Sequence, residues 1–469
     1  MIPKDNICEL IASHKLPLNR GNSTVKDFLE EYYAKYLTAL NGAISESSNH
    51  HLRNECYNLV EKQIPTIEQI CNLIIETLNL YNSGKMSEFH LQFNHLMTQL
   101  YPHLTIKNLN THTQDHFYYR IRTGTKEFSR KDLFHIPMNF RQHIKSYRYS
   151  IPGYPCLYLA TGLELCYLEC GMPKEFSYTS FFLNPKGSTN VKFIDFSYHP
   201  SLLSVDLPIF YYNYPDKQKE IDKLLINYLT TLPLRVACSL QVVNRDTPFI
   251  EEYIIPQQLL LWTREYSDID GILYRSSSIM ERAHDWNFVN LVMPAKELKD
   301  GYCQKLNDCF EVAEPCHVRV RDIIPNHKTS IDKVQSFIDF LDKESLHNRY
   351  LDIYLDLHSL CKSFLHMCNM LEHENYVNGE AINQTLDTLN RYSMLIVSNK
   401  DDILNKSQKN ALQFWLPKDQ SIFSSTFETM FSRFENEVRP VFFEFWSYES
   451  KIHSLNPIDS TTYQRIFIF

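Results

Sequence analysis

Glycine is scarce in this chain, and where it falls divides the chain into three. Only 11 of the 469 residues are glycine, about a third of the usual ~7%. Gly124, Gly153, Gly162, Gly171 and Gly187 crowd one central segment, and beyond Gly301 only Gly379 remains. Glycine marks tight turns because it alone adopts positive φ without steric cost. The centre therefore reads as a turn-rich mixture of strands and short helices, and both ends read as helical. The ends agree in their periodicity. VKDFLEEYYAKYL and IEQICNLIIETLNLY near the start space apolar residues three and four apart, as helices do. SIDKVQSFIDFLDKESL, YLDIYLDLHSLCKSFLHMCNMLEHE and INQTLDTLNRYSMLIV repeat that spacing near the end.

The resulting division is an N-terminal helical region at 1–110, a central α+β domain at 115–300 and a C-terminal helical domain at 328–469. YPHLTIKNLNTHTQDHFY (101–118) has no clear period and reads as the linker into the centre. Within the centre, PCLYLA (155–160), VKFIDFSY (191–198), PLRVACSLQVV (233–243), DGILYRSS (270–277) and FVNLVMP (288–294) read as strands. YIIPQQLLLWTRE (253–265) reads as a strand end followed by a helix that Pro256 opens.

Composition excludes several classes. A net charge of −8 argues against a general binder of nucleic acid or anionic membrane, which needs basic surface. The 12 cysteines form no CxxC pair, which fits reduced cytoplasmic thiols better than a disulfide framework. The opening MIPKDNICELIASHK lacks the pattern of a secretory leader, and no run approaches the ~18 apolar residues of a membrane span. The expected compartment is the cytoplasm. GxGxxG, GxxxxGK[ST], HExxH and GxSxG are all absent. Cys303, Cys309, Cys316 and His317 have gaps that fit no common zinc knuckle, so no metal is expected.

The stretch LYLATGLELCYLEC (157–170) holds two glutamates. Glu164 completes a capping box with Thr161, in which each side chain satisfies the other's backbone N–H. Glu169 has no such duty. It closes the helix, where a carboxylate opposes the helix dipole, between Leu168 and Cys170. An ordinary surface glutamate is the plainer reading of Glu169 taken alone. Its company changes the balance. In YYRIRTG (118–124), alternation puts Arg120 and Arg122 on one strand face, and paired guanidiniums suit an anion between them. In RQHIKSYRYSIPG (141–153), Arg141, Lys145 and Arg148 recur at helical spacing with Tyr147 and Tyr149 between them. That segment is either a solvated basic face or the edge of an anion pocket.

This order of blocks resembles the RES domain, named for its arginine, glutamate and serine. Tyr119-Arg120 match the family's opening YR, Arg148-Tyr149 its arginine–aromatic turn, and LYLATGLELCYLE its YLA…LLE block, which puts the family glutamate on Glu169. Ser276 matches the serine after the strand, with Ser277 and Ser278 as alternatives, and Asn290 matches the later asparagine. The resemblance covers roughly 115–300 and leaves both helical flanks unmatched.

The resemblance implies an ADP-ribosyltransferase-like fold with a mixed β-sheet. It implies an enzyme that consumes NAD+ as co-substrate and needs no metal. Such an enzyme cleaves the nicotinamide–ribose bond by phosphorolysis or hydrolysis, as toxins of toxin–antitoxin pairs do, or transfers ADP-ribose to a protein. Arg120, Glu169 and Ser276 would be catalytic; Tyr119, Arg122, Arg148, Tyr149, Tyr158 and Asn290 would bind NAD+. Inorganic phosphate, an antitoxin and a target protein are the further partners it implies. A reading from another class is a helical interaction protein with an inactive RES-like core. Convergence of Arg120, Glu169 and Ser276 on one cleft with Tyr119 would favour the enzyme.

Overall fold

The structure, a computed structural model, describes residues 5–14, 16–45, 54–109, 117–184, 191–198, 200, 203–204, 207–208, 215–245, 247–266, 268–277, 289–319, 327–343, 352–372, 389, 393–403 and 420–446. Four helices lead: α1 (Asn6–Ser13), α2 (Val25–Ser45), α3 (Asn54–Asn82) and α4 (Met86–Leu100). Asp5 caps α1 by accepting from the backbone N–H groups of Ile7 at 3.0 Å and Cys8 at 3.3 Å. Its other oxygen accepts from the Tyr57 hydroxyl at 2.7 Å, which ties α1 to α3.

The middle of the chain alternates strands and helices. It runs β1 (Ile106–Leu109), β2 (Phe117–Thr123), α5 (Arg130–Leu133), β3 (Cys156–Ala160), α6 (Leu163–Glu169), β4 (Glu175–Leu183) and β5 (Val191–Phe196). Then come α7 (Gln218–Ser239), α8 (Ile254–Glu265), β6 (Gly271–Tyr274), β7 (Asn290–Pro294), β8 (Leu298–Lys299), β9 (Tyr302–Cys303), α9 (Gln304–Cys309), β10 (Phe310–Val312) and β11 (Cys316–Arg319). The rear helices are α10 (His327–Lys343), α11 (Asp352–Glu372), α12 (Gln420–Arg433) and α13 (Arg439–Trp446), with a π-helical turn, Phe434–Val438, joining the last two.

Among the described residues, nine strands form one sheet in the order β1-β5-β6-β7-β3-β2-β4-β10, with β11 also paired to β4. Only β5 and β6 run parallel; the other pairs are antiparallel. The protein is thus α+β with a mixed sheet. Alternate residues serve opposite faces. Ile194, Ile272 and Val292 join a core built with the N-terminal helices, α7 and α8, while Phe193, Leu273 and Leu291 join a second core on the other side. A third core packs Tyr119, Ile121, Ala160 and α6 against α10 to α13. Gly271 is required by close approach: a Cβ there would lie 2.4 Å from the Val292 carbonyl oxygen.

Several local expectations are corrected. PLRVACSLQVV is not a strand, because 233–239 finishes helix α7. From Thr230 to Cys238 every residue of that helix is buried, so its sequence shows no polar face and no helical period. Pro233 sits inside it and offers no N–H to the Leu229 carbonyl one turn back. The Tyr36 hydroxyl donates to that carbonyl at 2.9 Å, and Tyr33 donates to the Pro233 carbonyl at 2.9 Å. The N-terminal helices thus repair the helix they cover. The supposed linker contains β1, an edge strand of the sheet. The helix after Tyr253 begins at Ile254, before Pro256. Of INQTLDTLNRYSMLIV, 393–397 are helical, and 382–388 and 390–392 lie outside the described residues. No described helix is long and apolar enough to cross a membrane.

Candidate functional site

One row of residues crosses the middle of the sheet. Tyr274 on β6 faces Asn290 on β7, Asn290 faces Ala160 on β3, Ala160 faces Tyr119 on β2, and Tyr119 faces Ser180 on β4. The chain leaves this row at Ala160 and enters α6 within three residues. Thr161 fixes the exit. Its backbone N–H donates to the Val289 carbonyl and its hydroxyl accepts from the Val289 N–H, both at 2.9 Å. The capping box is therefore not formed: Gly162 is the N-cap of α6 and no side chain caps it. The threonine hydroxyl is drawn to β7, just ahead of Asn290.

That anchorage places Glu169, the last residue of α6, against the row. Asn290 Nδ2 donates to Glu169 Oε1 at 2.8 Å. Helix α6 stops there because Gly171 takes a positive φ of 74° and turns the chain back. Glu169 is exposed as a consequence, as the plainer reading of it as a surface glutamate had it. The amide holds one oxygen, and the exposed side of the carboxylate faces solvent.

Arg120 occupies a seam. Strands β2 and β3 share a single residue pair, Tyr119 with Ala160. Beside it Arg120 Nη1 donates to the Tyr158 carbonyl at 2.9 Å, filling a place that backbone pairing would otherwise take. The guanidinium is half-buried, and desolvation lowers its pKa, with Cys170 and Cys166 the nearest groups that oppose the shift. The Cys170 thiol senses both charges of the site. The protein around it raises its pKa to about 11, Glu169 adds to the rise and Arg120 opposes it. The Arg120 and Glu169 charges thus act on this thiol in opposite directions.

Ser276 lies on the other side of Asn290, two residues beyond the end of β6. It is buried and lines a solvent-connected pocket with Tyr149, Tyr274 and Ser277. The Tyr149 and Tyr274 rings meet at 4.6 Å. Tyr274 joins the two halves: it lines this pocket, and burial raises the pKa of its phenol, with the Glu169 charge adding to the rise. Sequence reading passed over Tyr274 and Cys170. Tyr274 lay in the same LYRSS block as Ser276, and its place two residues earlier was the available signal.

The remaining predicted residues are placed differently. Tyr119 is buried in the core shared with the C-terminal helices. Tyr158 is half-buried, and burial raises its phenol pKa well above the usual value. Arg122 is exposed and turns to the flank, donating to the Asp132 carbonyl at 3.0 Å and lying 4.5 Å over the Phe128 ring. Arg148 is buried and committed to the protein. Its Nη1 donates to the Cys238 carbonyl at 2.9 Å, and its Nη2 to the Leu240 carbonyl and, at 2.6 Å, to Ser277 Oγ. It closes the C-terminal end of α7, where carbonyls lack helical partners, and fixes the serine next to Ser276. Arg141, Lys145 and Arg148 share no helix face: a short 3-10 helix, Met138–His143, ends before Lys145, and a Tyr147–Ser150 bridge follows. Ser278 lies outside the described residues.

No His, Cys, Asp and Glu group among the described residues could hold a metal ion. His317 on β11 joins β4 instead, with Nδ1 3.0 Å from Ser177 Oγ and Nε2 2.8 Å from Glu175 Oε1.

No family model matches the chain, and no solved structure matches it. A curated protein of Bacillus subtilis named "Putative toxin YopC" is 31% identical to it over 313 residues, which is 64% of this chain and 67% of that protein. The chain belongs to the family of that Bacillus subtilis protein.

Proposed function

We propose that the chain is an NAD+-consuming enzyme of RES type that acts as a toxin. The observation that carries the reading is the Glu169–Asn290 hydrogen bond, with the Glu169 and Arg120 charges both acting on the Cys170 thiol. The toxin role rests on the name of the Bacillus subtilis relative.

Loss of nicotinamide leaves positive charge on the ribose C1 carbon. A carboxylate beside that carbon stabilises the charge as it develops. Asn290 fixes the direction of the Glu169 carboxylate without neutralising it, since an amide donates a hydrogen bond and carries no charge. Arg120 supplies the complementary charge for phosphate oxygens. Tyr274 and Tyr149 offer ring surface, and Ser276 a hydroxyl, on the far side of Asn290. The exposed flank of Glu169 leaves access for the nucleophile, whether water, inorganic phosphate or a protein side chain.

The test is product analysis after incubating the full chain with NAD+. Free nicotinamide with ADP-ribose indicates hydrolysis, and with ADP-ribose 1″-phosphate in phosphate buffer it indicates phosphorolysis. Nicotinamide with modified protein indicates transfer. Intact NAD+ in every buffer and with bacterial lysate added as acceptor sinks the enzymatic reading and leaves the interaction protein. As a toxin, the active chain should arrest growth when expressed without a cognate antitoxin.

A further inference from the structure

Arg235 has a buried charge with one side unused. It lies on α7 and is 4% exposed. Its Nε donates to Thr231 Oγ1 at 3.1 Å and its Nη2 to the Asp195 carbonyl at 2.8 Å. The Phe196 and Tyr228 rings lie 4.8 and 5.1 Å from its central carbon. Among the described residues Nη1 has no hydrogen-bond partner. A buried guanidinium donor left unpaired costs more than an unmade surface bond, because water cannot replace the partner freely. Asp195, the carboxylate whose charge acts on it among the described residues, accepts instead from the backbone N–H and hydroxyl of Ser197.

Arg235 is also a wall of the Ser276 pocket. The pocket leaves about 40 Å³ of free space, and no carboxylate is among the described residues that line it. Arg275, Ser276, Ser277, Tyr149 and Tyr274 line it beside Arg235. Cations and hydroxyls with no acid among the described lining residues select a small anion.

We propose that Arg235 anchors an anion site in this pocket that takes a phosphoryl group, with Nη1 donating to a phosphate oxygen. Arg120 is not among the described residues that line this pocket, whereas Tyr274 is. Whether the phosphoryl group belongs to NAD+ or is free inorganic phosphate rests on the NAD+ reading above; the anion site does not.

Inorganic phosphate is titrated into the full chain, without NAD+, and binding is read by calorimetry. Two variants accompany it. Arg235→Gln removes the charge, and Ser239→Leu narrows the pocket from a half-buried lining position at the end of α7 while keeping the charge. The expected result is saturable binding at millimolar phosphate that weakens about tenfold or more in each variant, as for loss of a charge-assisted hydrogen bond. No saturable binding to the wild-type chain overturns the proposal, as does undiminished binding in either folded variant. If Arg235→Gln fails to fold, Ser239→Leu decides. NAD+ added to Glu169→Gln then separates the sources: displacement of phosphate assigns the site to the dinucleotide, and simultaneous binding assigns it to free phosphate. If NAD+ does not bind at all while phosphate does, the NAD+ reading fails and the anion site stands.

Discussion

Arg148 and the β2–β3 seam are two polar regions on the same sheet, and they are built in opposite ways. Around Arg148 the donors turn inward: two carbonyls at the end of α7 and the Ser277 hydroxyl take them, under the N-terminal helices. At the seam, Glu169 takes one amide donor and faces solvent, and Arg120 gives one bond to a strand carbonyl and stays half-buried. The first region fastens a helix to the sheet. The second presents charge to whatever enters. Residue order alone made both arginines candidate NAD+ contacts; the count of internal partners separates them. A group whose bonds are met within the protein is cheap to bury and has little left to offer a ligand.

Substitutions break or sharpen this contrast. Glu169→Gln should have the largest effect on turnover, lowering kcat/KM for NAD+ by about 10²–10³-fold, as loss of one charge-stabilising group does. Because Glu169 is exposed, its Tm should stay near wild type. Arg148→Ala should act mainly on stability, costing about 3 kcal/mol in urea unfolding, since it strips hydrogen bonds from the buried end of α7. A turnover defect in Arg148→Ala with unchanged stability would erase the contrast. Asn290→Ala should lower kcat/KM about tenfold by freeing the Glu169 carboxylate, with Asn290→Gln failing to restore it if direction matters. Arg122→Gln should do least, within about 0.5 kcal/mol in stability, because Arg122 is itself exposed, and steady-state kinetics should show NAD+ turnover close to wild type.

Much of this was legible in the sequence, for physical reasons that differ by element. The terminal helices have one wet face, so their period shows. Strands β3, β5, β6 and β7 announced themselves as short apolar runs between turns. Helix α7 did not, because its second half is buried on all sides and Pro233 sits within it; its rescue by Tyr36 lies 193 residues away in sequence. Arg235 was hidden by the same misreading, although a lone arginine in LPLRVACS was the visible clue. Glu169 was legible as a carboxylate without a local duty, and Asn290 through the resemblance alone. Their contact depends on Thr161 being held by Val289, which no spacing rule encodes. Thr161 matched a capping pattern and was taken by a strand partner instead, since a backbone pair within reach competes directly with a cap.

The proposed chemistry sets the Glu169 carboxylate against the positive charge that develops on the NAD+ ribose as nicotinamide leaves. Nicotinamide release by the purified full chain, measured beside Glu169→Gln at equal folded concentration, tests it most directly. Steady release by the wild-type chain and release reduced by at least about 10²-fold in the variant are expected, with matching thermal unfolding curves. Equal release from the two proteins would contradict it, and so would a loss of release that tracks a loss of fold.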